Sequence, residues 1–369
     1  MRKNAPSLKQ DDVFPMENRP TDEKPLDIEV FVPDSVELID PARGFAEFRP
    51  LPPQRAIRSR KRLALFLFLA TCATTFFVGA MMSDKEDTLY RVLQNGLTYS
   101  AAVMLILTAH EMGHYLQARR YGVPASLPYF IPMPLPPLGT MGAVIIQGVE
   151  VIDDDETDAV DQPRLNPSEE PRAKPARKRR RIICLADRKQ MFDIAISGPL
   201  AGLVFALPIL YLGVSRATVA AASGDPGGFI LGEPLIFQWI AAWAQPDLGA
   251  RDVLTIGPLG MAGWVGILIT ALNLIPIGQL DGGHILYTLI GKRAHYVATA
   301  LLIGATVYLI ATRSEAYILM VILLFLMGPR HPPTRDDAVP LGTFRIILGW
   351  LTLAFIFIGF TPTPIIVSG

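Results

Sequence analysis

Cysteine is nearly absent: the 369 residues hold two, Cys72 inside an apolar run and Cys184 beside a basic one. Neither a disulfide framework nor a thiolate metal site can be built from them. Histidine is scarce as well, so an imidazole site must draw on His110, His114, His284, His295 and His331. Net charge is zero, 34 basic residues balancing 34 acidic ones, which argues against a nucleic-acid partner and against an acidic-tail protein. The first 50 residues have no apolar h-region and carry "DDVFPMENRPTDEKP", which fits neither a signal peptide nor an Arg- and Ser-rich transit peptide.

What the chain has is clustering. Half of its residues are hydrophobic, and between charge blocks lie apolar runs of about 20 residues, the length that crosses a ~30 Å hydrocarbon core. The pattern predicts an all-α polytopic membrane protein with spans at 63–82, 97–118, 191–214, 253–275, 295–312, 315–328 and 343–360. The count is seven, or six without the short sixth. Placing Arg55, Arg58, Arg60, Lys61 and Arg62 in the cytoplasm puts "ARRYG", "RKRRR", "GKR" and "GPRHPPTR" there too. Residues 83–96, 215–252 and the turn at Arg313 then fall outside. A cell (inner) membrane protein with a cytoplasmic N-terminus is expected.

Five segments follow. Residues 1–62, rich in proline and acid, read as a largely disordered cytoplasmic tail. Residues 63–149 carry two spans and a loop. Residues 150–190 form a charged cytoplasmic insertion, acidic then basic, too short for a PDZ domain. Residues 191–290 are core spans, and 291–369 are C-terminal spans. The loop "PASLPYFIPMPLPPLGTMGAVIIQGV" (124–149) holds six prolines, a density that forbids a helix, so a membrane-associated strand or hairpin is expected near residues 139–149.

The chemistry begins at "TAHEMGHYLQARR" (108–120). On a helix His110 and His114 lie ~40° apart around the axis, so both imidazoles can reach one ion. Glu111 stands beside them, able to take a proton from a water that zinc activates toward a pKa of ~7. H-E-x-x-H also arises by chance on ordinary helices. Within a span that reading weakens, because intramembrane ionisable residues are costly and usually functional. A catalytic zinc site needs a third protein ligand. "ALNLIPIGQLDGGHIL" (271–286) is the candidate: Asn273 ends a span, Pro276 interrupts the helix, and Asp281 lies at its restart, where broken backbone at membrane depth can line a polar cavity. Asp281 could instead merely cap the new helix, and His284, one turn on, is a rival ligand. His295 and His331 sit by basic loops and read as interface residues.

"HEMGH", "SGPLAG" (197–202) and "NLIPIGQLDGGH" (273–284), in this order, resemble the site-2 protease family of intramembrane zinc metalloproteases. The resemblance covers roughly residues 97–290, and "PYFIP" with "GTMGA" is similar to the subgroup of cyanobacteria, plastids and other bacteria. It implies that His110, His114 and Asp281 bind Zn2+, that Glu111 is the catalytic base, and that Asn273 lies near the scissile peptide. It makes His284 a neighbour rather than a ligand. It also implies a single-pass transmembrane substrate, often an anti-sigma factor or membrane-tethered regulator, cut in regulated intramembrane proteolysis. His110 lies about 20 Å along the helix from Leu97, so water is expected from the cytoplasmic face. A strand around Gly142–Gln147 could accept an unwound substrate by β-augmentation, making Gly142 a candidate substrate contact. The competing readings are a catalytically silent membrane chaperone or metal-handling protein, and, third, a zinc transporter. The latter would need a second polar cluster in the outer half, which the sequence lacks.

Overall fold

The computed structural model describes residues 35–39, 46–50, 54–56, 60–84, 86–134, 136, 138–153, 179–183, 186–221, 229–249, 252–312 and 317–367. Residues 1–51 and 52–369 form two compact units. In the first, β1 (Ser35–Ile39) pairs antiparallel with β2 (Ala46–Pro50). The remainder of the tail read as disordered, and the interior of the insertion, lie outside the described residues.

The second unit opens with β3 (Gln54–Ala56), α1 (Lys61–Ala80) and α2 (Leu89–Arg120). The proline-rich loop forms β4 (Tyr129–Pro132) and β5 (Thr140–Val144), an antiparallel hairpin packed on α1. β6 (Val149–Asp153) and β7 (Arg179–Ile183) stand near the two ends of the charged insertion, and β6, the middle strand, pairs with both β7 and β3. Then come α3 (Arg188–Ser215), β8 (Thr218–Ala221), β9 (Phe229–Leu231), α4 (Leu235–Ala244) and β10 (Asp252–Thr255). The chain ends with α5 (Pro258–Asn273), α6 (Asp281–Ile290), α7 (Ala294–Thr312), α8 (Ile318–Met327), α9 (Thr343–Gly359) and β11 (Ile365–Val367).

Local chemistry fixes the helix ends. At α2 the Thr88 hydroxyl accepts from the Arg91 N–H, and Arg119 and Arg120 complement the dipole in the last turn. α3 starts on a reciprocal capping box between Asp187 and Gln190. Pro258 stands in the first turn of α5, where its missing N–H costs nothing. The core is built around α3, which packs on both α2 and α5. Every residue of α5 from Gly260 to Ala271 is buried, so this helix, apolar on all sides, is the centre of the bundle.

Among the described residues, four stretches are long and apolar enough to cross a membrane: Lys61–Ala80, Leu89–Arg120, Arg188–Ser215 and Asp281–Thr312. The other expected spans fall on shorter helices. The runs at 253–275, 315–328 and 343–360 yield helices of 16, 10 and 17 residues, or ~24, ~15 and ~26 Å, short of ~30 Å. β10 consumes residues 252–255 and Pro276 follows Asn273, which trims the first of these at both ends. α2 begins at Leu89, ahead of the expected span start at Leu97, and a short helix, α4, lies within 215–252. The Asp281–Thr312 stretch is bent. Gly291 takes a φ of 63°, and the Tyr287 ring stacks 5.7 Å from His295, whereas a straight helix would hold them ~12 Å apart along its axis.

Candidate metal centre

α2 carries His110, Glu111 and His114, all buried although ionisable. The His110 Nε2 and His114 Nε2 atoms lie 3.2 Å apart. Asp281 meets both, its Oδ2 3.0 Å from His110 Nε2 and its Oδ1 3.3 Å from His114 Nε2. These three side chains offer ligand atoms that all lie within 4.8 Å of one another, the one such group among the described residues.

The rival roles for Asp281 separate on geometry. Leu280 is the N-cap of α6 and Asp281 the first helical residue, with no side-chain cap bond. Its carboxylate faces the imidazoles instead. His284, one turn on, turns away from the trio: its Nδ1 contacts His331 Nε2.

α3 supplies the wall. The His114 Nδ1–H donates to the Ile194 carbonyl at 2.7 Å, which fixes the tautomer and leaves Nε2 facing the trio. The Ser197 hydroxyl donates to the same carbonyl at 2.7 Å. A Cβ on Gly198 would collide with the His114 imidazole, and one on Gly202 would lie 3.2 Å from His110 Nδ1. The "SGPLAG" glycines thus leave the space in which the two rings sit. Sequence reasoning gave Ile194 no role, since a backbone carbonyl has no signature; the small residues of 197–202 were the available signal.

Asn273, the last residue of α5, brings its Nδ2 to 3.5 Å from His110 Nε2. Gly142 stands apart from the trio and makes no hydrogen bond to it. Its φ of 94° is reached in a hairpin where the Gly142 N–H donates to Thr140 Oγ1 at 3.0 Å and that hydroxyl donates to the Ile131 carbonyl at 3.1 Å. A Cβ there would meet nothing, so the glycine serves the dihedral and not the space.

The three remaining histidines gather at the strap between α8 and α9. His331 is buried, not an interface residue as its basic neighbours suggested. It stacks on Tyr287 at 4.4 Å, and its carbonyl accepts from His295 Nε2 at 3.1 Å. Among the described residues its Nδ1 is the one buried side-chain nitrogen or oxygen without a hydrogen-bond partner. Burial above all, then the neighbouring His284, pushes its pKa down to about 3. Burial pushes Asp337 the other way, but hydrogen bonds from Thr334 and Tyr287 hold its carboxyl below the usual carboxylate range.

Two imidazole nitrogens and a carboxylate oxygen form the kind of donor set a zinc ion takes, with a fourth position left for water. The hydrogen-bonded outer face of His114 is what such a site requires. The trio therefore fits zinc.

The profile of peptidase family M50 matches residues 98–311. The chain is 26% identical over 366 residues to "Probable zinc metalloprotease EGY2, chloroplastic" of Arabidopsis thaliana, an alignment covering 95% of this chain and 54% of that protein. To "Probable zinc metalloprotease EGY1, chloroplastic" of the same plant it is 28% identical over 334 residues, covering 81% and 53%. To the protein of that name in Oryza sativa subsp. japonica it is 30% identical over 210 residues, covering 55% and 29%. At its longest alignments the chain spans about half the length of the curated relatives it matches. No solved structure matches it.

Proposed function

Because the chain belongs to peptidase family M50, we propose that it is an intramembrane zinc metalloprotease. It hydrolyses a peptide bond within or beside a transmembrane helix of another protein and releases a cytoplasmic fragment. The observation that carries this reading is the convergence of His110, His114 and Asp281 inside an apolar bundle, with Glu111 buried beside them.

His110, His114 and Asp281 are the proposed zinc ligands. A zinc ion bound there supplies the Lewis acidity that brings the pKa of a water toward ~7. Glu111 takes a proton from the attacking water as its oxygen bonds to the scissile carbonyl carbon, and delivers that proton to the departing amine nitrogen as the C–N bond breaks. Asn273, with donor and acceptor on one amide, holds the substrate backbone next to the bond that is cut. A helical substrate must be unwound, and its freed N–H and C=O groups then need partners. We assign that role to the edge of β5 away from β4, where the Gly142 N–H would exchange its bond to Thr140 Oγ1 for one to the substrate. The substrate is a single-pass membrane protein such as an anti-sigma factor or a membrane-tethered regulator, already shortened outside.

The finer topology belongs to the same reading. α5, the break at 274–280 and α6 make one interrupted crossing, and because α5 is enclosed by protein it need not match the lipid thickness. α9 has Arg345 against Asp193 of α3 at one end, and β11, which follows its other end, pairs with β9 in the segment between α3 and α4. With α8 as a partial crossing the count is seven, the N-terminus cytoplasmic and the metal centre reached by water from that side.

The test uses the full chain in detergent or bilayer discs with a transmembrane substrate. His110→Ala, His114→Ala and Asp281→Ala should each lose bound zinc. Glu111→Gln should keep it while turnover falls about 10²- to 10⁴-fold. Undiminished cleavage by Glu111→Gln, or full zinc retention in Asp281→Ala, would overturn the assignment.

A further inference from the structure

Near the metal centre, three helices are joined by a clamp that the proposed chemistry does not use. Asp193, in the second turn of α3, receives the Arg345 guanidinium of α9 in a two-point pairing, Nε to Oδ1 at 2.7 Å and Nη2 to Oδ2 at 2.9 Å. Its Oδ2 also accepts the hydroxyl of Tyr121, the residue that closes α2. The next residue along α3 is Ile194, whose carbonyl receives the His114 Nδ1–H.

We propose that Arg345 and Asp193 are positioning residues for the metal centre: they fix the register of α2 against α3, and with it the His114 to Ile194 hydrogen bond that aims His114 Nε2. The inference rests on the reading of His110, His114 and Asp281 as zinc ligands. The bond at 2.7 Å tolerates little movement, because N–H···O contacts weaken beyond ~3.2 Å. His114 lies two turns before Tyr121 on one continuous helix, so a shift of that helix end is transmitted to the imidazole with little loss. Without the carbonyl, the ring loses both its tautomer preference and its orientation.

The clamp differs from an ordinary surface ion pair. The Asp193 and Arg345 side chains are 14% and 28% exposed, both carboxylate oxygens are used, and a third donor converges on them. A planar fork bound at two points fixes direction as well as distance. It also brings α9, which contributes nothing to the trio itself, into the control of the centre.

Zinc affinity of the full chain, measured by competition with a chelator, tests this, with cobalt(II) in place of zinc reporting ligand geometry through its visible absorption. Arg345→Met and Asp193→Asn should weaken zinc binding about 10- to 100-fold and alter the cobalt spectrum. Arg345→Lys, which keeps the charge and loses the fork, should recover part of the affinity. Tyr317→Phe removes a buried hydrogen bond from the far end of α9, to the Thr361 carbonyl, and should leave zinc affinity and spectrum unchanged even if the protein melts earlier. Should Arg345→Met fail to fold, Tyr121→Phe carries the test, with an expected loss of about 10-fold, the low end for an outer partner. Normal zinc affinity and spectrum in the clamp variants, alongside lost binding in His114→Ala, would overturn the positioning role alone. Normal binding in His114→Ala would overturn the ligand reading and this inference with it.

Discussion

Gly198 is the residue at which the packing and the chemistry are least separable. Its missing side chain is the space occupied by the His114 ring, so Gly198→Ala should cost about 1–3 kcal/mol by overpacking and remove zinc as well. Gly304 in α7 has nothing within 4 Å of where its Cβ would stand, and Gly304→Ala should leave zinc untouched and change stability by no more than about 1 kcal/mol. Zinc content and thermal unfolding of the two variants check this; equal zinc loss in both would mean that α3 spacing is not the cause. The His110–His114 pair was legible because four residues on a helix return to one face. Asp281 was legible as one of three options, and only its direction in space, toward the imidazoles with Leu280 as cap, separates them. Ile194 acts through an atom every residue possesses, so no sequence could announce it. His331 was misread because its neighbours Arg330 and Arg335 suggest a wet surface, whereas its ring lies flat on Tyr287.

Among elements, the strap from Gly328 to Gly342 behaves as a tie between α6 and α3. His331 and Asp337 grip α6 through His284 and Tyr287, and the Arg188 N–H at the head of α3 donates to the Asp336 carbonyl at 3.1 Å. This tie is sensitive to acid in a stated direction. His331 is held down to about 3 from an ordinary 6.5, so between those values the unfolded chain binds a proton that the folded strap refuses. The stabilisation is complete above pH 6.5 and is lost as the pH falls toward 3. Asp337, held below the carboxylate range, adds a loss of the same sign at the acid end. The unfolding midpoint should therefore drop steadily below pH 6.5, and His331→Asn should flatten that decline; an unchanged slope would remove His331 as its source. The strap's grip could not be read from "GPRHPPTRDD", because proline and charge there suggest only a linker. The hairpin was legible, since six prolines exclude a helix and leave strands. Span lengths were overdrawn because hydropathy marks where apolar residues run, not where Pro276 and a strand such as β10 cut the helix.

At the scale of the molecule, the ends of α9 predict the labelling pattern. Cysteines at Glu233 and Thr363 belong to the face where β9 and β11 pair and should react with a membrane-impermeant reagent from outside, while one at Arg335 should react only from the cytoplasm. Labelling of the first two from opposite sides would refute a crossing by α9 and with it the seven-crossing count. The same helix sets an order in time. The last of the three metal-facing residues is translated at position 281, but the arginine that locks α2 onto α3 arrives at position 345. At roughly 5–20 residues per second, the nascent chain spends several seconds with all three donors made and their frame still open. On the positioning role proposed for Arg345, a zinc ion captured before α9 inserts would be held more weakly than one in the finished bundle.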